Sequence, residues 1–148
     1  MKLYNYELEK IIDFLINEFD FAGKQNRMRM KFVKILLEKL QEFKEDHLQI
    51  LKEYCHLDEK GNPKTYEKDG IQYYDVIDEE KYKKAYQELA NEEVIVEENE
   101  TNKNMLLTLK ESVENCHIPF RGEKAILHER LCELFDGIYG GETIESKN

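Results

Sequence analysis

Five cations in one short run are the residues of this chain best placed to do chemistry. The stretch GKQNRMRMKFVK, residues 23–34, gathers Lys24, Arg27, Arg29, Lys31 and Lys34 in a chain whose formal net charge is -10. On a helix, at about 100° per residue, Lys24, Arg27, Lys31 and Lys34 fall on one side, away from an apolar stripe. They would form a positive ridge near a helix N-terminus, where unpaired backbone N–H groups also favour anions. A phosphate-bearing ligand or an acidic partner surface suits such a ridge, and Tyr73 and Tyr74 are candidates to stack on a nucleotide base. The same pattern also reads as a solvated face: Lys34 has Glu38 one turn on, a pair that contributes only about 0.2–0.5 kcal/mol. Arg29 stands apart. It lies four residues before Val33, on the side of the apolar stripe. There a partly buried guanidinium must find a carboxylate or carbonyl partner, or contact a ligand or partner directly.

Metal and covalent chemistry find less support. Cys55-His56 and Cys116-His117 are neighbours, and His128 and Cys132 share an i, i+4 face. Adjacent residues on a helix diverge by about 100°, and no C-x2-4-C or H-x3-5-H pair is present. No metal and no cofactor is expected. The chain has no P-loop, no G-x-G-x-x-G, no H-E-x-x-H and no G-x-S-x-G. Acidic pairs such as Glu92/Glu93 and Glu97/Glu98 say little in a chain with 32 acidic residues. PFRGEKA, with one glycine before a helix, is an anion signal shared with ordinary helix starts. The reading is a protein that is not an enzyme.

The elements that must position these residues are mostly helical. Asn5 can cap a first helix, with Glu7 in its first turn and Leu8, Ile11, Ile12, Leu15, Ile16 and Phe19 at helical spacing. Gly23 is the expected stop. A longer helix is predicted from about Gln25 to Tyr54, with a core stripe of Val33, Leu36, Leu37, Leu40, Phe43, Leu48 and Leu51. The short link between the two predicts an N-terminal antiparallel αα-hairpin. DEKGNP is turn chemistry, and KTYEKDGIQYYDV predicts a small central β-hairpin turning at Lys68-Asp69-Gly70. Its tyrosines, Tyr66, Tyr73 and Tyr74, are expected to pack in a core rim, or else to form an arm that contacts a partner. Asp78 caps a helix carrying Tyr82, Tyr86 and Leu89. EEVIVEE is a short strand available to pair with the hairpin. Two helices end the chain, about Asn102 to Asn115 and about Gly122 to Gly137, separated at Pro119. The fold class is α+β, mostly α, with one domain over 1–140 and a frayed tail over 141–148.

Composition limits the partners. At 148 residues, with 41% apolar and 36% charged residues, the chain can bury a real core. Its negative charge argues against sequence-independent nucleic-acid binding, which depends on neutralising phosphates. The three cysteines have no framework spacing and read as reduced thiols. MKLYNYELEK lacks the apolar core of a signal peptide, and no apolar run reaches the roughly 18 residues of a membrane span. A cytoplasm, its own or a host's, is the expected workplace.

MKLYNYELEKIIDFL, GKQNRMRMKFVKILLEKL, LDEKGNPK, NEEVIVE and FRGEKAILHERLCELF together resemble a family of short proteins. They are carried by phages and prophages of Gram-positive bacteria and share a domain of unknown function. The resemblance covers nearly the whole chain up to ETIESKN, and its most specific part is the Gly23-Lys24, Arg27, Arg29, Lys31 run. It brings no catalytic or binding residue with it. It implies a viral origin and the host cytoplasm as workplace. From that origin follows the expectation of an accessory protein that counters host defence or redirects a host factor by binding. The partner is a host protein, capped by acidic faces around Glu88, Glu92, Glu93, Glu97 and Glu98, or a small phosphate-containing signal held by the positive ridge and tyrosines. The alternative is a tail-associated or assembly protein of the virion, with the two N-terminal helices as a homo-oligomer interface.

Overall fold

The computed structural model describes residues 1–143. Of the tail expected over 141–148, residues 144–148 therefore lie outside the described residues. The elements in chain order are β1 (Lys2–Tyr4), a 3-10 turn (Asn5–Glu7), α1 (Leu8–Asn17), α2 (Lys24–Tyr54), β2 (Thr65–Lys68) and β3 (Ile71–Tyr74). There follow α3 (Glu79–Ala90), β4 (Glu93–Ile95), α4 (Glu100–Glu114), α5 (Glu123–Phe135) and a second 3-10 turn (Ile138–Gly141). The architecture is α+β and mostly α, with two small antiparallel sheets of two strands each among the described residues. No helix among them is long and apolar enough to cross a membrane.

The chain divides into two compact units, one formed by Met1–Leu40 with the chain from Glu93 on, the other by Gln41–Glu92. The long helix α2 gives residues 24–40 to the first and residues 41–54 to the second.

The first unit begins with β1, whose partner is β4 in the register Lys2↔Ile95, Leu3↔Val94, Tyr4↔Glu93. This corrects the expected pairing of EEVIVEE with the central hairpin. Leu3 and Val94, directly opposed, both turn into the core, and that burial selects the partner. The start of α1 also differs from expectation. Asn5 lies buried in the 3-10 turn, and it is the Glu7 carboxylate that accepts the Tyr4 backbone N–H at 3.1 Å. Helix α1 buries Leu8, Ile11, Ile12, Phe14 and Leu15, while Ile16, expected in the stripe, stays exposed. It ends at Asn17, well before Gly23. Gly23, with φ near +57°, instead opens α2: its carbonyl accepts the Arg27 N–H at 3.0 Å.

Within this unit α2 buries Met28, Phe32, Val33, Leu36 and Leu40; Leu37 is exposed, one residue out of phase with that stripe. Helices α4 and α5 pack on each other, and α5 also packs on α1. The Phe32 and Phe135 rings meet at 5.8 Å between centroids, and Leu106, Leu107, Leu109, Val113 and Leu131 fill the space around them without exposure. Asn99 caps α4, its side-chain oxygen accepting the Asn102 N–H at 2.8 Å. The 3-10 turn at Ile138–Gly141 is tied to the start of α4 by the Tyr139 hydroxyl, which donates to the Asn99 carbonyl at 2.7 Å.

In the second unit, β2 and β3 form the expected hairpin, with Lys68 opposite Ile71 and a two-residue turn at Asp69-Gly70. Both turn residues have positive φ, 53° and 78°, the combination that matches the right-handed twist of two strands. The hairpin grows from the end of α2: the His56 N–H donates to the Asp75 carbonyl at 3.0 Å, and the Ile77 N–H to the Tyr54 carbonyl at 2.7 Å. Asp78 caps α3 as its position predicts, accepting the Lys81 N–H at 3.2 Å. Of the stripe expected on this part of α2, Leu51 is buried, Phe43 is half-buried and Leu48 is exposed.

Candidate functional site

The predicted ridge exists as an exposed edge of the first unit. The side chains of Lys24, Arg27, Lys31 and Lys34 all face solvent, and among the described residues none of these side chains makes a hydrogen bond or ion pair, Lys34 with Glu38 included. They do not converge. Lys24 lines a shallow depression of about 280 Å³ with Gln25, Thr108, Ser112, Asn115 and the acidic Glu111. Lys31 lines another of about 230 Å³ with Met28, Asn102 and Met105.

Arg29 behaves as its place on the apolar side requires. Its Nη1 donates to the Phe19 carbonyl at 2.6 Å and the Leu15 carbonyl at 3.3 Å, and its Nε and Nη2 donate to Asn26 Oδ1 at 3.1 and 2.6 Å. The Phe21 ring covers its guanidinium at 5.2 Å. The carbonyls left open at the end of α1 are thus closed by a cation from α2, which favours the negative end of the helix dipole. Arg29 is a joint between two helices, and its donors are turned toward that joint.

Tyr73 and Tyr74 belong to the second unit, the four ridge cations to the first. The tyrosines expected in a core rim are exposed instead: both strands of the hairpin are exposed along their whole length. Tyr66 and Tyr73, directly opposed, stack with ring centroids 5.6 Å apart, and Ile71 lies on the same face. Tyr74, Ile77 and Leu57 add further exposed apolar surface to this unit.

The same unit holds an aromatic cluster in which His47 joins Phe43, Tyr82 and Tyr86, three residues already placed by helical spacing. The Tyr82 hydroxyl and His47 Nε2 are hydrogen-bonded at 2.8 Å, His47 packs on Tyr86 with centroids at 4.8 Å, and Tyr86 stacks with Phe43 at 6.2 Å. Burial holds the His47 imidazole below its ordinary value and raises the Tyr82 phenol above its own. Both groups are kept neutral near pH 7.

The cysteines are free thiols, and Cys55 is buried. Burial raises the thiols of Cys55 and Cys132, so neither is activated as a nucleophile. His128 Nε2 donates to the Val113 carbonyl at 2.9 Å, with Cys132 Sγ at 3.8 Å. No group of three or more His, Cys, Asp or Glu with metal-binding geometry occurs among the described residues.

A further concavity joins residues far apart in the sequence. An open groove of about 620 Å³ runs between the Asn5–Glu7 turn with the start of α1 on one side and α5 on the other. Ile11, Ala125 and Leu127 give it an apolar lining, and Tyr6 and Ile126 stand exposed on its walls, Ile126 at 70%. Beside them Arg130 grips Glu7 with two bonds of 2.6 and 2.9 Å and reaches Glu133 at 3.3 Å. The carboxylates raise the guanidinium further above its already high value. One sequence signal pointed here: Ile126 is an isoleucine out of phase with the Leu127, Leu131, Leu134 stripe.

No curated protein and no solved structure matches the chain. A family model described as Protein of unknown function (DUF1617) matches residues 4–142, nearly the whole span that the motif resemblance covered, and the chain belongs to that family.

Proposed function

We propose that this is a phage-encoded accessory protein that works in the cytoplasm of a bacterial host. It binds a host protein without catalysis and so counters a defence or redirects that protein. The observation that carries the reading is the central hairpin, a two-stranded sheet exposed along both strands whose stacked Tyr66 and Tyr73 and adjacent Ile71 each leave about half of their surface in solvent. Aromatic residues of this kind supply the anchors of protein interfaces, and a hairpin fastened only at its base presents them to a partner. The phage origin rests on the motif resemblance.

Sequestration of a nucleotide-type signal by Lys24, Arg27 and Lys31 with Tyr73 or Tyr74 is supported less. Lys24 and Lys31 line separate depressions, the first shared with Glu111, Arg27 lines neither, and the tyrosines belong to the other unit. Capping through the acidic residues is reduced to part of the expected set, because Glu93 already pairs with Lys2 at 3.3 Å and Glu98 accepts the Tyr139 N–H at 3.0 Å. A virion assembly role is the second reading, favoured by Ile16, Met30 and Leu37, which remain exposed on the two N-terminal helices. Deleting the gene from a phage that carries it separates the two. The accessory reading expects plating to fall on a host with an active defence and to stay unchanged on a host without one, with the protein absent from purified particles. A fixed number of copies in the particle, or failure to form particles on both hosts, would support the assembly role instead.

A further inference from the structure

The groove between the Asn5–Glu7 turn and α5 combines an apolar lining with a particular charge balance. Its two cations are already engaged: Lys10 pairs with Glu123 at 3.0 Å, and Arg130 is held by Glu7 and Glu133. Its carboxylates are in excess. Glu129 has no hydrogen bond or ion pair among the described residues, Glu133 is exposed enough to accept more donors, and Glu123, outside the lining, reaches the groove through its pair with Lys10. An incoming anion meets only cations that carboxylates already pair, whereas an incoming cation meets the unpaired Glu129 and the remaining oxygens of Glu133 beside exposed isoleucine and tyrosine.

The shape selects further. Of the α5 residues that line the groove, Ala125, Ile126, Glu129, Arg130 and Glu133 recur along one side of the helix over about two turns, or ~12 Å, with Leu127 at its edge. An open trough of that length fits a helix laid along it, which offers apolar side chains at i, i+3, i+4 and i+7 and polar ones at its flanks. Small ligands favour more enclosed cavities that cover most of their surface. A second copy of the chain, with net charge -10, brings mostly like charge to an acidic rim, and an anionic lipid surface does the same.

We propose that this groove is a docking site for a basic amphipathic helix of a partner protein, with Ile126 and Tyr6 receiving its apolar face and Glu129, Glu123 and Glu133 receiving its lysines or arginines. The assignment stands independently of the role of the hairpin. The bidentate Arg130–Glu7 pair is its structural tie, joining α5 to the turn before α1 and holding the two walls at a fixed separation.

The test uses fluorescence anisotropy on the full chain. The probe is a labelled peptide of about 18 residues, five helical turns, with Leu at the i, i+3, i+4, i+7 positions and Lys elsewhere. A scrambled peptide of the same composition and a patterned peptide with Glu in place of Lys serve as comparisons. The patterned Lys peptide should bind saturably and at least about ten-fold more tightly than either, a difference of the size a single anchor supplies. Ile126→Asp should weaken it by about ten-fold or more, Tyr6→Ser by less, and Glu129→Lys should weaken it and flatten its salt dependence, with melting curves unchanged. Equal binding of the scrambled peptide, or indifference to both Ile126→Asp and Glu129→Lys, would reduce the effect to general attraction between opposite charges and overturn the site. Absence of saturable binding would overturn it as well. So would a dimer in sedimentation velocity that Ile126→Asp abolishes, since that gives the groove to a second copy.

Discussion

The molecule contains two antiparallel strand pairs of similar size that are stabilised in opposite ways. In the first unit, β1 and β4 come from distant parts of the chain and meet because Leu3 and Val94 both enter the core. In the second, β2 and β3 are joined by a two-residue turn and neither strand contains a buried residue. A hairpin of this size is marginal in water by itself. Here its base is held by backbone bonds to the end of α2, including Lys64 N–H to the His56 carbonyl at 2.8 Å, and by the Cys55↔Val76 bridge. The first pair is a structural closure fixed by its one buried pair, Leu3 and Val94. The second is a stem with a free aromatic face, and a surface left unburied at the end of a fixed stem is available for binding.

Several substitutions break or sharpen that contrast. The largest effect is expected in the first pair: Leu3→Ala should destabilise by about 2–5 kcal/mol in urea unfolding, whereas Ile71→Ala in the second pair should stay within about 0.5 kcal/mol. Equal losses would erase the distinction. Next is the cation inside the first unit. Arg29→Met removes charged donors from two carbonyls and an amide and should lose roughly 1.5–3 kcal/mol, while Lys24→Ala or Lys31→Ala on the exposed ridge should each change stability by less than about 0.5 kcal/mol. Gly70→Ala places a side chain at φ near +78° and should lose about 1–2 kcal/mol. That loss should appear in the hairpin amide signals of an NMR spectrum and leave the Leu3 and Val94 signals in place.

The smallest effect is a pH dependence confined to the second unit. His47 has its folded pKa below the ordinary 6.5, because burial against Tyr82 and Tyr86 disfavours the imidazolium. The unfolded chain therefore takes up the proton first as pH falls. The contribution is complete above about 6.5 and is lost as the pH drops from there through the folded value. Melting curves between pH 7 and 5 should show this slope in the wild type and not in His47→Gln. A slope that persists in the variant would assign it to other groups.

Much of this was legible in the sequence wherever local chemistry decides the structure. The bounds of α2 follow from its long apolar stripe, although Gly23, expected to stop α1, opens α2 instead, and the hairpin follows from Asp69-Gly70, because few residue pairs tolerate positive φ twice in succession. A carbonyl partner for Arg29 was one of the two readings its phase relative to Val33 allowed, the other being direct contact with a ligand or partner. What stayed hidden is non-local. A strand as short as Lys2–Tyr4 has too little alternation to read, and its pairing with Glu93–Ile95 is set by burial far along the chain. The groove is hidden for the same reason. Tyr6 and Ile126 become one surface only after α1 and α5 pack, and in the sequence Ile126 reads merely as an isoleucine out of step with its stripe.

The most direct test of the central claim, that the hairpin face binds a partner and is not needed for the fold, is the triple variant Tyr66→Ser, Ile71→Ser, Tyr73→Ser made in the phage gene. The account predicts a protein that melts like the wild type, together with phage plating on a defended host reduced to the level of the gene deletion. A variant that unfolds would show that these side chains serve the core, and a folded variant that plates like the wild type would show that the face binds nothing the phage needs.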